Sequence, residues 1–223
     1  LLTPHEGESL YSANDFSPDG AALLITSDAA NGYQNAGLLK IATKKIHWLT
    51  QEKWQVSGRN FSPDGKSAVL VVDVDGDTDI YRYDLLSGRH TSMPLSKGVN
   101  YPGGAESAFS HDGTKLLYYH NGPNAPNDAW VYHVATGKSI QVTHSLMAGI
   151  PVTHFVEPFL VHYPSRDGKW TISALLYIPR NMQRNGQNAA IVYIHGGPAS
   201  QSVNSFNRFI QHIVNQGYMV IAP

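Results

Sequence analysis

The sequence predicts a mostly β protein, with a repetitive part over residues 1–152 and the incomplete start of an α/β domain over residues 153–223. Three observations carry this fold class. A turn motif recurs at a nearly constant spacing, short apolar segments rich in β-branched residues lie between the turns, and the last third changes to a strand–turn–helix–strand pattern. Repeated short strands indicate an all-β unit, whereas strands that alternate with a helix are typical of α/β folds.

The turn motif occurs three times, as FSPDG at residues 16–20 and 61–65 and as FSHDG at residues 109–113. The three phenylalanines lie 45 and 48 residues apart. Serine suits the first position of a type I turn, proline presets φ at the second, and glycine takes the last position at little steric cost. His111 replaces proline in the third copy, which removes rigidity but keeps the turn.

Each copy is followed by an apolar strand and by a second turn that lies 26 or 27 residues after the phenylalanine. Such a unit holds about four short strands, and a period of 45 to 48 residues is typical of β-propeller blades. We therefore expect residues 1–152 to form a partial β-propeller of about three four-stranded blades. Because a propeller closes only with roughly four to eight blades, and because the chain begins at Leu1 without methionine, we expect an N-terminal part to be missing.

Composition narrows the function classes. Charged residues make up 15% of the chain and the formal net charge is -1, so no nucleic-acid partner is expected. No apolar stretch approaches the length of a membrane span. The chain has no cysteine and no His-Glu-x-x-His motif, and we expect neither a metal nor a cofactor. Cytoplasmic, periplasmic and secreted locations all stay open, as does a homo-oligomer of the full-length protein.

The pattern changes after residue 152. A hairpin is predicted from residues 159–163 and 171–178, and a buried strand from residues 189–194. An amphipathic helix should follow, with Asn204 or Ser205 as its cap and Gly217 at its end. One face of this helix gathers five apolar residues: Phe206, Phe209, Ile210, Ile213 and Val214. A last strand is expected over residues 218–222.

The turn between that strand and helix, His195-Gly196-Gly197-Pro198, is the candidate functional motif. Two glycines let the backbone approach a ligand closely. In α/β-hydrolases the loop after this kind of strand supplies a backbone N–H to the oxyanion hole. The alternative is a plain strand-to-helix turn that needs glycine for its φ angles. We expect His195 to be structural or adjacent to the oxyanion rather than a general base, because the catalytic histidine of that fold comes last in chain order.

No Gly-x-Ser-x-Gly nucleophile motif occurs in the 223 residues. We therefore expect none of the Ser-Asp-His triad here, and we expect this chain to be inactive alone, with the nucleophile beyond Pro223. Residues 73–79 carry four aspartates, which raises the alternative of a calcium loop. The EF-hand order is absent, however, and Asp75-Gly76 favours a two-residue hairpin turn.

Two features together resemble the prolyl oligopeptidase family of serine peptidases: the FSPDG repeats, and YPSRDG at residues 163–168 leading to HGGP at residues 195–198. The second pairing is most similar to the dipeptidyl peptidase and acylaminoacyl peptidase branches. The resemblance implies a β-propeller followed by an α/β-hydrolase catalytic domain that cleaves short peptides through an acyl-enzyme. It also implies that the Gly197 N–H, with His195 beside it, belongs to the oxyanion hole. Two other functions stay open: a TolB-like propeller binding module with a degenerate hydrolase appendage, and a propeller-linked esterase.

Overall fold

The computed structural model describes residues 1–104, 107–146, 149–183 and 185–223. Within these ranges the strands form four four-stranded sheets, accompanied by one α-helix and one 3-10 helix. The expectation of a mostly β protein is therefore confirmed. None of the helices in the described ranges is long and apolar enough to cross a membrane.

The first three sheets are antiparallel meanders in which each strand pairs with its neighbour in the chain. Each sheet coincides with one sequence repeat, which confirms the four strands expected for a unit. Their strands are β1 (Tyr11–Phe16), β2 (Ala22–Ser27), β3 (Asn35–Lys40) and β4 (Lys45–Trp48); β5 (Gln55–Phe61), β6 (Ser67–Val74), β7 (Asp77–Asp84) and β8 (His90–Ser92); and β9 (Val99–Pro102), β10 (Lys115–Gly122), β11 (Ala125–His133) and β12 (Lys138–Gln141).

The predicted turn is formed in all three copies of the motif. The glycine N–H donates to the serine carbonyl oxygen over 2.7–2.8 Å, and the serine hydroxyl donates to the aspartate over 2.6 Å. The glycine has a φ of 68–69° in each copy, a left-handed conformation that glycine adopts at no steric cost. His111 leaves this hydrogen-bond pattern intact. The same pattern recurs in the fourth sheet, where Gly168 N donates to the carbonyl oxygen of Ser165 over 2.9 Å.

The second sheet lies between the first and the third and is buried on both faces. Ala68, Leu70 and Val72 of β6 pack in one core with residues of the first sheet, and Val69 and Val71 pack in another core with residues of the third. Successive side chains of a strand point to opposite faces. Two buried faces therefore explain why β6 is a continuous apolar run instead of an alternating one.

Hydrogen bonds also connect successive repeats, with acceptors at equivalent positions. The residue before the motif phenylalanine accepts a bond from a backbone N–H of the next sheet. Phe61 N donates to Asp15 Oδ2 over 2.8 Å, and Ala108 N donates to Asn60 Oδ1 over 3.4 Å. Donor and acceptor are 46 and 48 residues apart, close to the motif spacings of 45 and 48 residues.

The fourth sheet is mixed, in the order β13-β14-β16-β15, with β15 and β16 parallel. The α-helix connects these two parallel strands and packs on the sheet through Ile210 and Val214, which are 4% and 1% exposed. A 3-10 helix (Val152–His154) precedes the sheet. The elements are β13 (Phe159–Pro164), β14 (Thr171–Tyr177), β15 (Ala190–Val192), α1 (Arg208–Asn215) and β16 (Met219–Ala222).

The buried strand expected over residues 189–194 was wrong in length and in burial. Strand β15 has only three residues, and Val192 and Ile194 are 61% and 72% exposed. Ile191 and Tyr193 pack on the core cluster of the fourth sheet. Successive residues of this apolar run therefore point to opposite faces of the sheet. One face packs on the core, and the other is exposed in the described structure.

The predicted helix is present, but its cap was assigned to the wrong residue. Neither Asn204 nor Ser205 caps it, because the Asn207 side chain accepts hydrogen bonds from the N–H groups of residues 209 and 210. Phe206 consequently precedes the helix, where its ring packs edge-on against Phe155 at a centroid distance of 4.9 Å. Gly217 follows the helix with a φ of 94°, as expected.

Candidate functional site

The His195-to-Pro198 turn follows β15 at the carboxyl end of the two parallel strands. Pairing continues briefly beyond β15, since Tyr193 N donates to the carbonyl oxygen of Ile221 over 2.8 Å. His195 is half-buried, and Gly196 and Pro198 are exposed. In open α/β sheets, ligands bind outside the carboxyl ends of the strands. The structure therefore holds the turn at the edge where an α/β site is expected.

Gly197 is the residue in this turn that has to be glycine. Its φ is 141°, and a Cβ at this position would lie 2.9 Å from Ala199 N and 3.2 Å from Ser200 Cβ. Gly196 has neither constraint, because an added Cβ would meet nothing within 4 Å. Among the described residues, no acceptor is paired with the N–H of either glycine. The turn thus presents backbone donors at an exposed edge of the sheet.

The His195 ring contacts the backbone of its own turn, with Nδ1 2.7 Å from the carbonyl oxygen of Gly196. A ring nitrogen used in this way orients the neighbouring peptide group. Whether His195 is structural or adjacent to the oxyanion stays a prediction.

The four-aspartate segment forms the hairpin between β6 and β7. Asp75 and Gly76 make its two-residue loop, with φ values of 52° and 83°, as a type I′ turn requires. The hairpin predicted at Asp75-Gly76 is therefore confirmed. Within the described ranges, no three His, Asp or Glu side chains come together in a way that could hold a metal ion.

The tip of this hairpin contacts the loop that follows the His195-to-Pro198 turn. Asn204 N donates to the carbonyl oxygen of Gly76 over 2.8 Å, and Asn204 Nδ2 donates to Asp77 Oδ1 over 2.8 Å. The Gln201 side chain donates a hydrogen bond to the Asp73 carboxylate. These pairs could not be predicted from the sequence, because the partners are 127 and 128 residues apart and no local pattern relates them.

The hairpin also contacts the body of the fourth sheet. The Ser173 hydroxyl donates to Asp75 Oδ1 over 2.8 Å, and His162 Nε2 lies 3.6 Å from Asp75 Oδ2. Burial raises the pKa of Asp73, an effect that the hydrogen bond from Gln201 opposes. Neutral side chains thus donate hydrogen bonds to three of the four aspartates. The raised pKa of Asp73 reflects the unfavourable burial of its charged form.

A second hairpin, between β10 and β11, holds the start of α1. Phe206 N donates to Asn121 Oδ1 over 2.9 Å. The Gln211 side chain, 2% exposed, donates to the carbonyl oxygens of Pro123 and Val156 over 3.0 and 2.8 Å and accepts from Val156 N over 2.9 Å. Gln211 therefore uses its amide to join the helix to the third sheet and to the segment before β13.

A cavity of about 540 Å³ opens beside the β6–β7 hairpin. Its lining includes aromatic residues of the first two repeats, Tyr33 and Trp54, together with Asp73, Gln201 and Ser202. The cavity therefore lies between the repeats and the loop that follows the glycine turn. Aromatic faces and hydrogen-bonding groups in one concave surface are typical of small-ligand sites.

No family model matches the chain. Its sequence does match two fungal dipeptidyl-peptidases. The chain is 25% identical to a probable dipeptidyl-peptidase 5 of Aspergillus flavus over an alignment that covers all of this chain and 34% of that protein. Dipeptidyl-peptidase 5 of Aspergillus oryzae matches to the same extent. The relatives of this chain are peptidases of the prolyl oligopeptidase family.

Solved structures of prolyl oligopeptidase family peptidases share its fold. A puromycin-hydrolyzing peptidase of Mycobacterium tuberculosis superposes with a TM-score of 0.79 at 17% identity, over 96% of this chain and 33% of that one. Oligopeptidase B of Trypanosoma brucei superposes with a TM-score of 0.77 at 15% identity, over 99% of this chain and 32% of that one. The chain therefore spans about a third of the length of the peptidases it matches.

Proposed function

We propose that this chain is the part of a prolyl oligopeptidase family serine peptidase in which the β-propeller meets the α/β-hydrolase catalytic domain. Residues 1–152 would supply about three blades, and residues 153–223 the first strands and helix of the catalytic domain. Support comes from the stacked four-stranded sheets and from relatives that are dipeptidyl-peptidases.

The observation that carries the proposal is the exposed backbone at Gly197. A serine nucleophile adds to the scissile carbonyl carbon and passes its proton to a histidine base, and the carbonyl oxygen becomes an oxyanion. A donor fixed in place before the reaction stabilises that charge, and loss of one donor costs on the order of 10² to 10³ in rate. Gly197 N–H would be one such donor, and His195 would steady it by holding the Gly196 carbonyl.

The substrate class that we propose is short peptides. A puromycin hydrolase mutant, whose fold is shared at a TM-score of 0.78, was crystallised in complex with PGG. In this chain, the cavity of about 540 Å³ beside Trp54 and Ser202 is large enough for a few residues, since ligand pockets span roughly 300–1,000 Å³. We propose no cofactor, because acyl transfer by a serine needs none.

The test compares this 223-residue chain with the protein encoded by its whole reading frame. The full-length protein should cleave peptide arylamides, and a fluorophosphonate that traps catalytic serines should abolish the activity. The chain alone should be inactive because it contains no Gly-x-Ser-x-Gly motif. Fluorophosphonate-sensitive hydrolysis by the chain alone would overturn this assignment.

The same assay separates the two alternatives. An esterase on this scaffold would cleave matched esters but not amides. A TolB-like binding module would cleave neither substrate, and no Gly-x-Ser-x-Gly motif would follow within roughly the next hundred residues, the region in which α/β-hydrolases carry their nucleophile.

A further inference from the structure

The loop over residues 199–206 connects the glycine turn to α1 and contacts two hairpins of the repeats. Its middle meets the β6–β7 hairpin through Gln201 and Asn204, and its end meets the β10–β11 hairpin through Phe206. The Ser202 hydroxyl donates to the carbonyl oxygen of Pro223 over 2.8 Å. Contacts along its length therefore hold this loop, although it has no regular secondary structure.

We propose that these two hairpin tips position the oxyanion turn, so that the repeats complete the catalytic site. This inference rests on the proposed function and deepens it, since it gives the repeats a part in transition-state stabilisation. Asp77, Gly76 and Asn121 would be positioning residues that act through the loop. Asp73, which also lines the cavity, would hold the loop through Gln201.

The backbones of the hairpin and the loop approach each other closely at Gly76. A Cβ added there would lie 2.8 Å from the carbonyl oxygen of Ser202 and 3.3 Å from the Cα of Val203. Both atoms belong to backbone, which cannot rotate away as a flexible side chain could. Glycine is therefore required at position 76 for two reasons: its φ is 83°, and the loop backbone lies where a Cβ would be.

Asp77 and Asp73 add hydrogen bonds that neutral side chains donate. Asn204 Nδ2 donates to Asp77 Oδ1, and Gln201 Nε2 donates to Asp73 Oδ2. What the loop needs from the hairpin is thus an acceptor oxygen and not a negative charge. Asparagine provides the same oxygen at nearly the same place, whereas alanine removes it.

A short, closely packed segment joins the glycine turn to the loop. Ser200 N donates to the carbonyl oxygen of Pro198 over 2.9 Å, and the Cα of Gly197 is packed so closely that a Cβ would clash with Ala199 N. We therefore expect a shift of residues 201–204 to move the Gly197 N–H. A misplacement of about 1 Å in a catalytic arrangement can cost about 10²-fold in rate.

The test uses the full-length protein and two matched pairs of variants. Gly76→Ala is compared with Gly88→Ala, because Gly88 also has a positive φ in the second sheet, 70°, but an added Cβ would come no closer than 3.6 Å to its nearest neighbour, the Tyr83 hydroxyl. Asp77→Ala is compared with Asp77→Asn, which keeps the acceptor. The readouts are kcat and KM on a peptide arylamide and the hydrogen exchange rate of the Asn204 amide.

We expect Gly76→Ala to lower kcat by about 10²-fold with little change in KM, and to speed exchange at the Asn204 amide, while Gly88→Ala changes neither. Asp77→Ala should lower kcat by about tenfold, and Asp77→Asn should restore it. Equal kcat values for Gly76→Ala and Gly88→Ala in an active protein would overturn the positioning role alone. A wild-type protein without fluorophosphonate-sensitive hydrolysis would overturn the proposed function itself.

Discussion

Replacing Gly58 by alanine should destabilise the contact between the first two sheets. Gly58 lies in β5 at an irregularity of the strand register, and it is not among the residues with a positive φ. A Cβ at this position would lie 2.7 Å from Leu24 Cγ and 3.0 Å from Leu24 Cδ1. Leu24 is 0% exposed, so its side chain has no open space into which it can move.

Two opposing effects set the size of the change. Where alanine fits, a glycine-to-alanine substitution stabilises by about 0.4–1 kcal/mol through the unfolded chain. Overpacking of a core costs about 1–3 kcal/mol. Because the contact with Leu24 is far inside van der Waals distance, overpacking prevails, and we expect a net loss of about 1–2 kcal/mol.

The assay is urea unfolding of a double-mutant cycle, followed by circular dichroism. Leu24→Ala alone should cost about 2–5 kcal/mol, and Gly58→Ala should cost nothing further in that background, because the cavity accepts the new methyl group. The two changes should therefore couple by about 1–2 kcal/mol, with unchanged m-values. Additive effects, or a stabilised Gly58→Ala variant, would refute the face-to-face packing of these two sheets.

Hydrogen bonds from the Ser110 hydroxyl, above all, and from Thr114 lower the pKa of Asp112 to about 2, so Ser110→Ala should raise this pKa. The lowered pKa stabilises the fold above pH 3.8, and the gain is lost toward pH 2; an unshifted NMR titration would contradict the turn geometry. Asn207→Ala should cost about 1 kcal/mol in thermal unfolding because the helix loses its cap, while Asn207→Asp should cost little; equal losses for both variants would argue against capping. Burial raises the pKa of Tyr177 to about 12, so the free energy of unfolding should fall as the pH rises from 10 to 12. The ionisation of Tyr177 is measured as the difference between the spectrophotometric titrations of the wild type and of Tyr177→Phe; ionisation near pH 10 would be inconsistent with its burial.

The repeats could be predicted from the sequence because their signals are local. The serine, aspartate and glycine of one turn bond to one another within five residues, so three copies of the motif indicate three equivalent units. The Asp75-Gly76 hairpin was predictable for the same reason, since two adjacent residues determine its turn type. Patterns of this kind do not depend on the rest of the fold.

What the sequence could not show depends on contacts between distant segments. Asn204 was expected to cap α1, but its side chain bonds instead to Asp77, 127 residues away, and Asn207 takes the cap. The exposure of Val192 depends in the same way on what packs against β15. The four aspartates raised a calcium loop as one alternative. In the structure, three of them accept hydrogen bonds from neutral side chains of the fourth sheet and its loop, namely Ser173, Gln201 and Asn204.

The most direct test of the central claim is the kcat/KM of the full-length protein for a peptide arylamide, measured with Gly197→Ala and Gly217→Ala. Both glycines have a positive φ, 141° and 94°, but Gly217 lies beyond the end of α1, where an added Cβ would meet nothing within 4 Å. Alanine keeps the backbone N–H, but at a φ of 141° its Cβ would clash with Ala199 N, so the donor is displaced. If Gly197 N–H stabilises the oxyanion, this displacement should lower kcat/KM by about 10²-fold, and Gly217→Ala should leave it near the wild-type value. Equal kcat/KM values for the two variants would contradict the claim.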